Sequence, residues 1–419
     1  MITTQPSCND INEPGLIPLD EALARILVGV PVIKAYERVN IESARGRTLA
    51  EAVTASFNVP GHTNSAVDGY AIHSADLPAA GTRVFDIAGK AYAGEPFHGT
   101  VSRGQCLRIM TGAVIPEGLD TVIMQEHAEL QGSAIVIDSR HKPGQNVRKA
   151  GEDINQGQTI LHPGKFLTPP DIGLIASMGI PEINVTRKLR IAIASTGDEI
   201  FSLGQTTAPD GLYDSNRYSL LAALDRPDIE AINLGIVEDR PEALLNAFEQ
   251  AGSFADVIVS TGGVSVGEAD YTKTALQTSG NIGFWKVAIK PGRPLAFGRI
   301  GSAVFFGLPG NPVAVMVAFY ILVLPALEKM LGVTHKPIAP VFQVRTLENL
   351  RKKPDRTEVQ RGIIEQNHMG EWTVRTTGLQ GSGMLSSMSL ANAFIILEHD
   401  RDRVLAGEWV WVRPFAGMF

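Results

Sequence analysis

The sequence predicts a multidomain α/β protein in which a doubly wound parallel sheet follows one strand-rich region and precedes another. The chain has 419 residues, and at roughly 150 residues per domain this length suits about three domains. Its middle contains continuous apolar runs of strand length separated by amphipathic segments. Such runs are typical of parallel strands buried on both faces, whereas the flanking regions have short runs with glycine and proline between them.

The first domain is predicted to be discontinuous. Residues 19–30 have apolar side chains at the i, i+3, i+4, i+7 spacing of an amphipathic helix, and a second helix with proline at each end is predicted at 169–181. Between them, residues 56–149 form short apolar runs punctuated by glycine and proline, which indicates a strand-rich insert. We therefore assign residues 1–55 and 150–186 to one domain that the insert interrupts.

Residues 187–335 are predicted to form the doubly wound α/β domain. Three apolar runs predict its parallel strands, at 190–195, 256–260 and 303–307. Helices are predicted at 215–224, at 240–251 and from 313 onward. The longest apolar run, 313–327, contains a proline and falls short of the roughly 20 residues that a membrane span needs, so we expect a buried helix there.

Residues 336–419 are predicted to form a small all-β domain. Short apolar and alternating runs predict its strands, at 341–344, 372–375, 393–397 and 409–412. The basic cluster RKKPDR at 351–356 is expected to be a solvated turn rather than a binding patch.

Composition excludes several classes of protein. Lys and Arg number 37 against 44 Asp and Glu, and the net charge of −7 gives no electrostatic footprint for nucleic acid or anionic lipid. Cys8 and Cys106 cannot build a disulfide framework or a multi-thiolate zinc site. The N-terminus lacks the basic start and apolar stretch of a secretory signal. We therefore expect a cytoplasmic protein with no nucleic-acid partner and no membrane partner.

Polar loops directly follow all three apolar runs of the α/β domain. Their sequences are STGDE at 195–199, STGGVSVGEAD at 260–270 and LPGNP at 308–312. Because the carboxyl ends of parallel strands meet at one edge of a sheet, we expect the loops to converge. Glycine lets backbone N–H groups approach an anion, and Ser and Thr hydroxyls add donors. The sequence therefore predicts a phosphate or oxyanion cradle, although each loop taken singly could be only structural.

Three carboxylates, Glu199, Glu268 and Asp270, lie in these loops. They would repel a phosphate unless a cation intervened, and oxygen-ligated Mg²⁺ is the simplest such cation. The alternative is that these acids cap the helices that follow.

Three cations, Lys286, Lys290 and Arg293, lie in one stretch that two prolines stiffen. Period-two alternation predicts that Lys286, Ala288 and Lys290 share one face of a strand. Charge-assisted hydrogen bonds to an oxyanion are worth about 1.5–3 kcal/mol each, so this stretch predicts an oxyanion site. The alternative is a solvent-facing edge of lysines.

Eight motifs, in order along nearly the whole chain, resemble those of the MoeA family of molybdopterin molybdenumtransferases, which is related to the E domain of gephyrin. They are NSAVDGYA (64–71), RIMTGA (108–113), RKAGEDI (148–154), STGDEI (195–200), YDSNR (213–217), STGGVSVGEADY (260–271), KPGRPLAFG (290–298) and LPGNPVA (308–314). The departures are mild: Val67 stands where methionine is common, Ser215 lies in what is often an Asp-Thr-Asn run, and Arg293 stands where lysine also occurs.

The resemblance implies a four-domain plan. It comprises an elongated discontinuous first domain, a β-rich insert, an α/β molybdopterin-binding domain and a small C-terminal β-barrel. The resemblance also implies a homodimer in which the insert of one subunit faces the α/β domain of the other. Adenylylated molybdopterin and molybdate would bind in that cleft. Cleavage of the phosphoanhydride with Mg²⁺ would release AMP as molybdenum joins the dithiolene.

The resemblance assigns site residues position by position. The catalytic candidates are Asp68, Thr111 and Asp153 of the insert and Glu199, Asp239 and Asp270 of the α/β domain. Of these, Glu199 and Asp270 are expected to hold the metal or orient water. The substrate-binding candidates are Gly262, Gly263 and Ser265 for the pterin phosphate, Lys286, Lys290 and Arg293 for molybdate and pyrophosphate, and Pro309 with Asn311.

Two other functions share parts of this pattern. A non-catalytic scaffold could use the same fold to hold a cofactor or a protein, but it would not need the full set of acids. The adenylyltransferase that prepares the substrate resembles only the α/β domain, so the insert and the barrel argue against it. Transient contacts with that adenylyltransferase and with acceptor molybdoenzymes are expected.

Overall fold

The computed structural model describes residues 16–206, 209–262, 280–336 and 340–415. The chain divides into two compact units. The larger unit comprises Met1–Ala50, Pro163–Ile172 and Pro181–Phe419. The smaller unit comprises Glu51–His162 and Gly173–Ile180.

Six α-helices lie within the described ranges: α1 (Leu19–Gly29), α2 (Pro169–Ser177), α3 (Asn216–Ala223), α4 (Pro241–Phe254), α5 (Pro312–Met330) and α6 (Leu385–Leu390). One turn of α5, Phe319–Val323, is a π-helix. Short 3₁₀ turns occur at Ile41–Ser43, Ser74–Asp76 and Gln125–His127.

The strands are numbered along the chain. Before the α/β region they are β1 (Leu16–Ile17), β2 (Tyr36–Asn40), β3 (Val53–Thr54), β4 (Asn64–Ser65), β5 (Gly69–Ile72), β6 (Thr82–Ala91), β7 (Gln105–Ile109), β8 (Thr121–Met124), β9 (Glu129–Gln131), β10 (Ala134–Asp138), β11 (Val147–Arg148), β12 (Thr159–Leu161) and β13 (Glu182–Thr186). The α/β region contains β14 (Leu189–Thr196), β15 (Ile200–Phe201), β16 (Leu212–Tyr213), β17 (Ile229–Val237), β18 (Val257–Thr261), β19 (Gly280–Val287), β20 (Ile289–Lys290), β21 (Pro294–Ile300) and β22 (Ala303–Leu308). The C-terminal region contains β23 (Phe342–Thr346), β24 (Leu350–Arg351), β25 (Thr357–Gln366), β26 (Trp372–Thr376), β27 (Ala393–Leu397), β28 (Arg403–Val404) and β29 (Trp409–Pro414).

The smaller unit is built on a six-stranded sheet with the order β8-β5-β7-β6-β10-β9. Neighbouring residues of β8 belong to two different apolar clusters: Val122 packs in the cluster that contains Leu107, and Ile123 packs in the cluster that contains Phe85. This follows from the alternation of side chains along a strand and gives the sheet a core on each face. The predicted β-rich insert is confirmed.

The predicted discontinuous domain is also confirmed, by strand pairing inside the larger unit. β2 pairs with β13 in antiparallel register, with Tyr36 opposite Thr186 and Asn40 opposite Glu182. The buried guanidinium of Arg47 supports this ribbon by donating to the Thr186 carbonyl at 2.8 Å. Segments that precede and follow the insert therefore form one structure. The exact domain boundaries stay a prediction.

A seven-stranded sheet with the order β1-β19-β21-β22-β18-β14-β17 forms the centre of the larger unit. The three strands predicted from apolar runs are β14, β18 and β22, and they lie side by side in parallel. The sequence analysis missed β17 and the antiparallel strand β21, and of the antiparallel strand β19 it predicted only the end, at Trp285–Val287. These strands carry more mixed sequences, so no continuous apolar run marked them.

The apolar helix α5 packs in the core of the larger unit. By length and composition its 19 residues could cross a membrane, but 83% of its most apolar window is buried inside the protein. It shares one apolar cluster with strands of the α/β sheet and with Ala22 and Ile26 of α1. The prediction of a buried helix is therefore confirmed.

The C-terminal region forms a closed five-stranded barrel. Its strands follow the order β25-β26-β23-β29-β27, and β27 pairs again with β25 to close the sheet. The short strand β20 adds to β25 in parallel, with Lys290 opposite Glu358. This pairing attaches the KPGRP stretch of the α/β region to the barrel.

The prediction that one strand carries both Lys286 and Lys290 is wrong. They lie on β19 and β20, which belong to two different sheets. Between them, Ala288 donates its N–H to the Ile17 carbonyl at 2.8 Å and accepts from the Thr357 N–H at 2.9 Å. The chain changes hydrogen-bonding partners at this residue, so the period-two alternation does not continue across it.

Candidate active site

The carboxyl ends of β14, β18 and β22 converge, as the loop sequences predict. Ser195 Oγ lies 3.1 Å from Thr261 Oγ1, and the Gly262 N–H donates to the Leu308 carbonyl at 3.2 Å. A Cβ on Gly262 would lie 2.3 Å from the Thr196 carbonyl oxygen, at a φ of +86°. Glycine is required there because both the close approach and the backbone angle exclude a side chain.

Several predicted residues of the second loop lie outside the described residues. They are Gly263, Ser265, Glu268 and Asp270.

Two predicted acids of the α/β region, Glu199 and Asp239, lie close enough to influence each other, and Asp198 joins them. Burial raises the pKa of Asp239, and the negative charges of Asp198 and Glu199 raise this pKa further. Oδ1 of Asp239 is buried and has no hydrogen-bond partner among the described residues. A cation bound beside these like charges would lower the pKa of Asp239 again.

The predicted metal site is described only in part. Glu199 lies in the acidic cluster, whereas Asp270, the other predicted ligand, lies outside the described residues. Within the described ranges, no group of three or more His, Cys, Asp or Glu side chains is arranged to hold a metal ion.

A cavity of about 500 Å³ lies between the α/β region and the barrel, inside the larger unit. It brings together four predicted substrate-binding residues: Lys290, Arg293, Pro309 and Asn311. Lys286 is not among its lining residues. The cations and the polar turn predicted separately from two motifs therefore form one concave site.

The barrel supplies a wall of this cavity that the sequence analysis missed. The missed residues are Asp355, Arg356, Gln380, Gly381 and Ser382. The expectation of a solvated turn at 351–356 is wrong for Lys352, which is buried, and for Arg356, whose side chain is only 12% exposed. Lys352 Nζ donates to the carbonyls of Lys353 and His399, each at 3.0 Å, and Arg356 is paired with the buried carboxylate of Glu358.

One available signal had pointed to this wall. The β-branched residues Thr357, Val359, Ile363 and Ile364 favour a strand directly after Arg356, and that segment is β25.

In the smaller unit, the predicted pair Asp68 and Thr111 is in direct contact. The N–H and the hydroxyl of Thr111 both donate to Asp68 Oδ1 at 2.8 Å. These bonds, together with the charge of Arg108, hold the pKa of Asp68 below its usual range, so the carboxylate is ionised at neutral pH. A Cβ on Gly69 would lie 2.0 Å from the Ile123 carbonyl oxygen, so only glycine allows β5 to approach β8 beside this pair.

Asp153, the third predicted residue of the insert, also belongs to the smaller unit. Its N–H donates to the Val59 carbonyl at 3.0 Å, and the residue is exposed. Within the described part of the chain, no hydrogen bond joins its side chain to Asp68 or Thr111.

Comparison with known proteins places these features in a family. Three family models match in chain order: the MoeA N-terminal region (domain I and II) at residues 17–179, the probable molybdopterin binding domain at 192–329 and the MoeA C-terminal region (domain IV) at 343–415. The molybdopterin molybdenumtransferase of Haemophilus influenzae is 41% identical over 96% of this chain and 99% of its own length. The chain belongs to the MoeA family.

Other MoeA relatives agree with this assignment. The molybdopterin molybdenumtransferase of Nostoc is 34% identical over 90% of this chain and 88% of its own. The crystal structure of the molybdopterin biosynthesis MoeA protein from Pyrococcus horikoshii OT3 superposes with a TM-score of 0.83, covering 95% of this chain and all of that one at 28% identity. Gephyrin of Dictyostelium discoideum is 32% identical over 94% of this chain but only 62% of gephyrin.

Proposed function

We propose that this chain inserts molybdate into adenylylated molybdopterin, releasing AMP in an Mg²⁺-dependent step and forming molybdenum cofactor. Its general activity follows from the family: the chain is a molybdopterin molybdenumtransferase of molybdenum cofactor biosynthesis, because relatives of that name match it over nearly its whole length. The finer statements, on the adenylylated substrate, on AMP and on Mg²⁺, rest on the resemblance and on the chemistry of the site.

The cavity between the α/β region and the barrel is the observation that carries the proposal. Three cations line it, Lys290, Arg293 and Arg356. Among the described residues, the carboxylate of Asp355 also lines the cavity, and the buried carboxylate of Glu358 lies behind Lys290 and Arg356. Molybdate is a dianion at neutral pH, so an excess of positive charge with fixed donors suits it. The volume of about 500 Å³ lies within the range of small-molecule sites and exceeds what one tetrahedral oxyanion occupies. Part of the pterin substrate would share it.

The converging loops of the α/β sheet support binding of the phosphate groups. Ser195, Thr196 and Thr261 place hydroxyls at the carboxyl edge of the sheet, and Gly262 keeps the backbone close. Ligands of open α/β sheets bind at this edge. These residues would bind and orient the phosphoanhydride while Lys290 and Arg293 hold molybdate.

The acidic cluster suits a divalent cation. Its carboxylate oxygens are the ligands that Mg²⁺ prefers, and within the described residues the buried Oδ1 of Asp239 has no partner. Glu199 and Asp270 would hold the ion, with Asp239 beside them. When bound, Mg²⁺ would neutralise charge on the phosphate groups during cleavage. The ionised carboxylate of Asp68, fixed by Thr111, would orient a polar group of the substrate.

The proposal is tested by AMP release from adenylylated molybdopterin with the purified chain. We expect release that requires both molybdate and Mg²⁺, stops with chelator, resumes when Mg²⁺ is restored and yields a product that activates an apo-molybdoenzyme. Binding of the pterin without AMP release would instead favour a scaffold function. AMP release that is unchanged by chelator would show that the reaction does not need the metal.

We include a homodimer in the proposal, because the family resemblance implies that the insert of one subunit acts with the α/β domain of another. Mixing inactive Asp68→Ala chains with inactive Asp239→Ala chains tests this point. A mixed dimer would contain one site in which neither residue is altered, so activity should return on mixing. No recovery after confirmed subunit exchange, or a monomer in sedimentation, would contradict the dimeric site.

A further inference from the structure

A buried carboxylate lies behind two cations of the cavity. Glu358 on β25 is only 1% exposed. Its Oε1 accepts from Arg356 Nε at 3.1 Å and from a terminal nitrogen of Arg356 at 2.8 Å, and its Oε2 lies 3.4 Å from Lys290 Nζ. The N–H of Lys353 also donates to Oε1, at 3.2 Å. Glu358 does not line the cavity itself, whereas Lys290 and Arg356 do.

Strand pairing places this carboxylate between two regions of the chain. β20 and β25 pair in parallel with Lys290 opposite Glu358, so the backbones of both residues are fixed relative to one another. Arg356 directly precedes the same strand. One carboxylate therefore contacts a cation from the α/β region and a cation from the barrel.

We propose that Glu358 is a positioning residue that holds Lys290 and Arg356 in the orientation that binds the oxyanion. The identity of that oxyanion as molybdate rests on the proposed function. Two cations that face one cavity repel each other, and long side chains lose freedom when they bind a ligand. A buried carboxylate between them offsets the repulsion and orders both side chains before the ligand arrives, which is how preorganisation strengthens binding.

Removing Glu358 should change the affinity for molybdate in opposite directions, depending on whether Glu358 positions the cations or acts only through its charge. If only net charge mattered, loss of a carboxylate near the cavity would tighten binding of a dianion. If Glu358 positions the cations, its loss weakens binding although the cavity becomes more positive.

The main test is the Glu358→Gln variant of the full chain, titrated calorimetrically with molybdate in the absence of pterin. We expect the Kd to rise by about tenfold or more, as for other residues that orient ligand-binding groups. In turnover, KM for molybdate should rise while KM for adenylylated molybdopterin stays unchanged. An unchanged or lower Kd would overturn the proposal. Because molybdate binding is measured directly, a chain that binds molybdate but releases no AMP would contradict the proposed function and leave this test intact.

A matched control separates positioning from general damage. Asp228 is likewise 1% exposed and pairs with Arg226 at 2.8 and 3.0 Å, but it lies just before β17, at the opposite edge of the sheet. We expect Asp228→Asn to bind molybdate as the wild type does, even if its melting temperature falls. Equal weakening in both variants would show a structural effect and overturn the proposal.

Two further variants make the test robust. If Glu358→Gln does not fold, Glu358→Asp keeps the charge but shortens the side chain, so it should no longer reach both cations and should also raise the Kd. Wild-type affinity in Glu358→Asp would count against the proposal. In the Lys290→Gln background, Glu358→Gln should raise the Kd for molybdate by a smaller factor than it does alone, because the two residues act together. Additive losses would contradict action through Lys290.

Discussion

On strand β25 of the C-terminal barrel, the guanidinium of Arg361 donates from Nε to Ser387 Oγ at 2.9 Å. A terminal nitrogen of the same guanidinium donates to the Gly381 carbonyl at 3.0 Å. Arg361 is 1% exposed, and burial lowers its pKa to about 10. Since Gly381 lines the cavity, this buried cation connects strand β25 to the cavity wall.

We predict that Arg361→Met displaces the cavity wall without unfolding the barrel. Methionine fills much of the same volume and removes the cost of burying a charge, but two acceptors lose their donor. The free energy of unfolding should fall by about 1–3 kcal/mol, and the Kd for molybdate should rise by about tenfold. Thermal melting and calorimetric titration measure the two effects. Arg345→Met, which changes an exposed arginine of the same barrel, should leave the Kd unchanged.

Replacing Asp68 with asparagine should abolish most turnover while the chain stays folded, with a small loss of stability because the folded state favours the ionised carboxylate. The residue is exposed, so little packing is lost, but the ionised carboxylate that Thr111 fixes is removed. We expect kcat to fall by about 100-fold or more. Because the pKa of Asp68 is already low, the loss should be constant from about pH 6 to about pH 9.

Thr111→Ser retains both donors to Asp68 and provides the matched control. It should keep most of the wild-type kcat. A large loss in this variant, or near-normal turnover of Asp68→Asn, would remove the contact between these residues from the mechanism.

Asp239→Asn is predicted to lower activity without lowering stability. The raised pKa of Asp239 means that the folded state disfavours its charged form, so the charge destabilises the protein above that pKa and less so as the pH falls. At neutral pH the variant should therefore melt at or above the wild-type temperature, and the difference should shrink toward about pH 4. Turnover should fall by about tenfold or more.

Mg²⁺ gives a second readout at the same residue. Added Mg²⁺ should raise the melting temperature of the wild type more than that of Asp239→Asn, because a ligand stabilises only the state that binds it. Equal shifts in the two proteins would show that Asp239 does not take part in metal binding.

Acid should destabilise the smaller unit through Asp76. Its carboxylate accepts from Arg103 and from the Gly104 N–H and lies beside Arg83, and these partners lower its pKa to about 2. Since the folded-state pKa is below the unfolded value of about 4, the stabilisation is complete above about pH 4 and is lost as the pH falls toward 2. Asp76→Asn should lower the free energy of unfolding by about 2 kcal/mol or more at neutral pH. The stability of this variant should also fall less than that of the wild type as the pH drops. Melting curves between pH 2 and pH 7 would contradict this assignment if the variant and the wild type changed in parallel.

The convergence of the α/β loops was predictable from sequence. Long apolar runs identified β14, β18 and β22, and the carboxyl ends of neighbouring parallel strands must lie at one edge. The polar residues that follow the runs therefore had to meet, as Ser195 and Thr261 do. The local pattern did not predict the contact of Asp68 with Thr111. Only the family resemblance assigned these two residues to one site.

The wall that the barrel contributes to the cavity could not be predicted in the same way. Lys290 and Glu358 are separated by 68 residues, and their contact depends on the pairing of β20 with β25. The two paired residues of β20 do not predict their own partner, because a short strand has too little pattern to specify a register. The same pairing interrupted the expected alternation between Lys286 and Lys290.

By itself, the sequence determined which residues form buried strands and helices, where the polar loops follow them and which family the chain resembles. These are properties of local pattern, because side-chain periodicity and turn chemistry act over a few residues. Only the tertiary structure decided that Arg356 pairs with the buried carboxylate of Glu358, and that a residue of the C-terminal region such as Ser382 shares a cavity with Lys290. Those outcomes depend on pairing and charge compensation between distant segments, and the free energy of such contacts exists only once the segments are packed together.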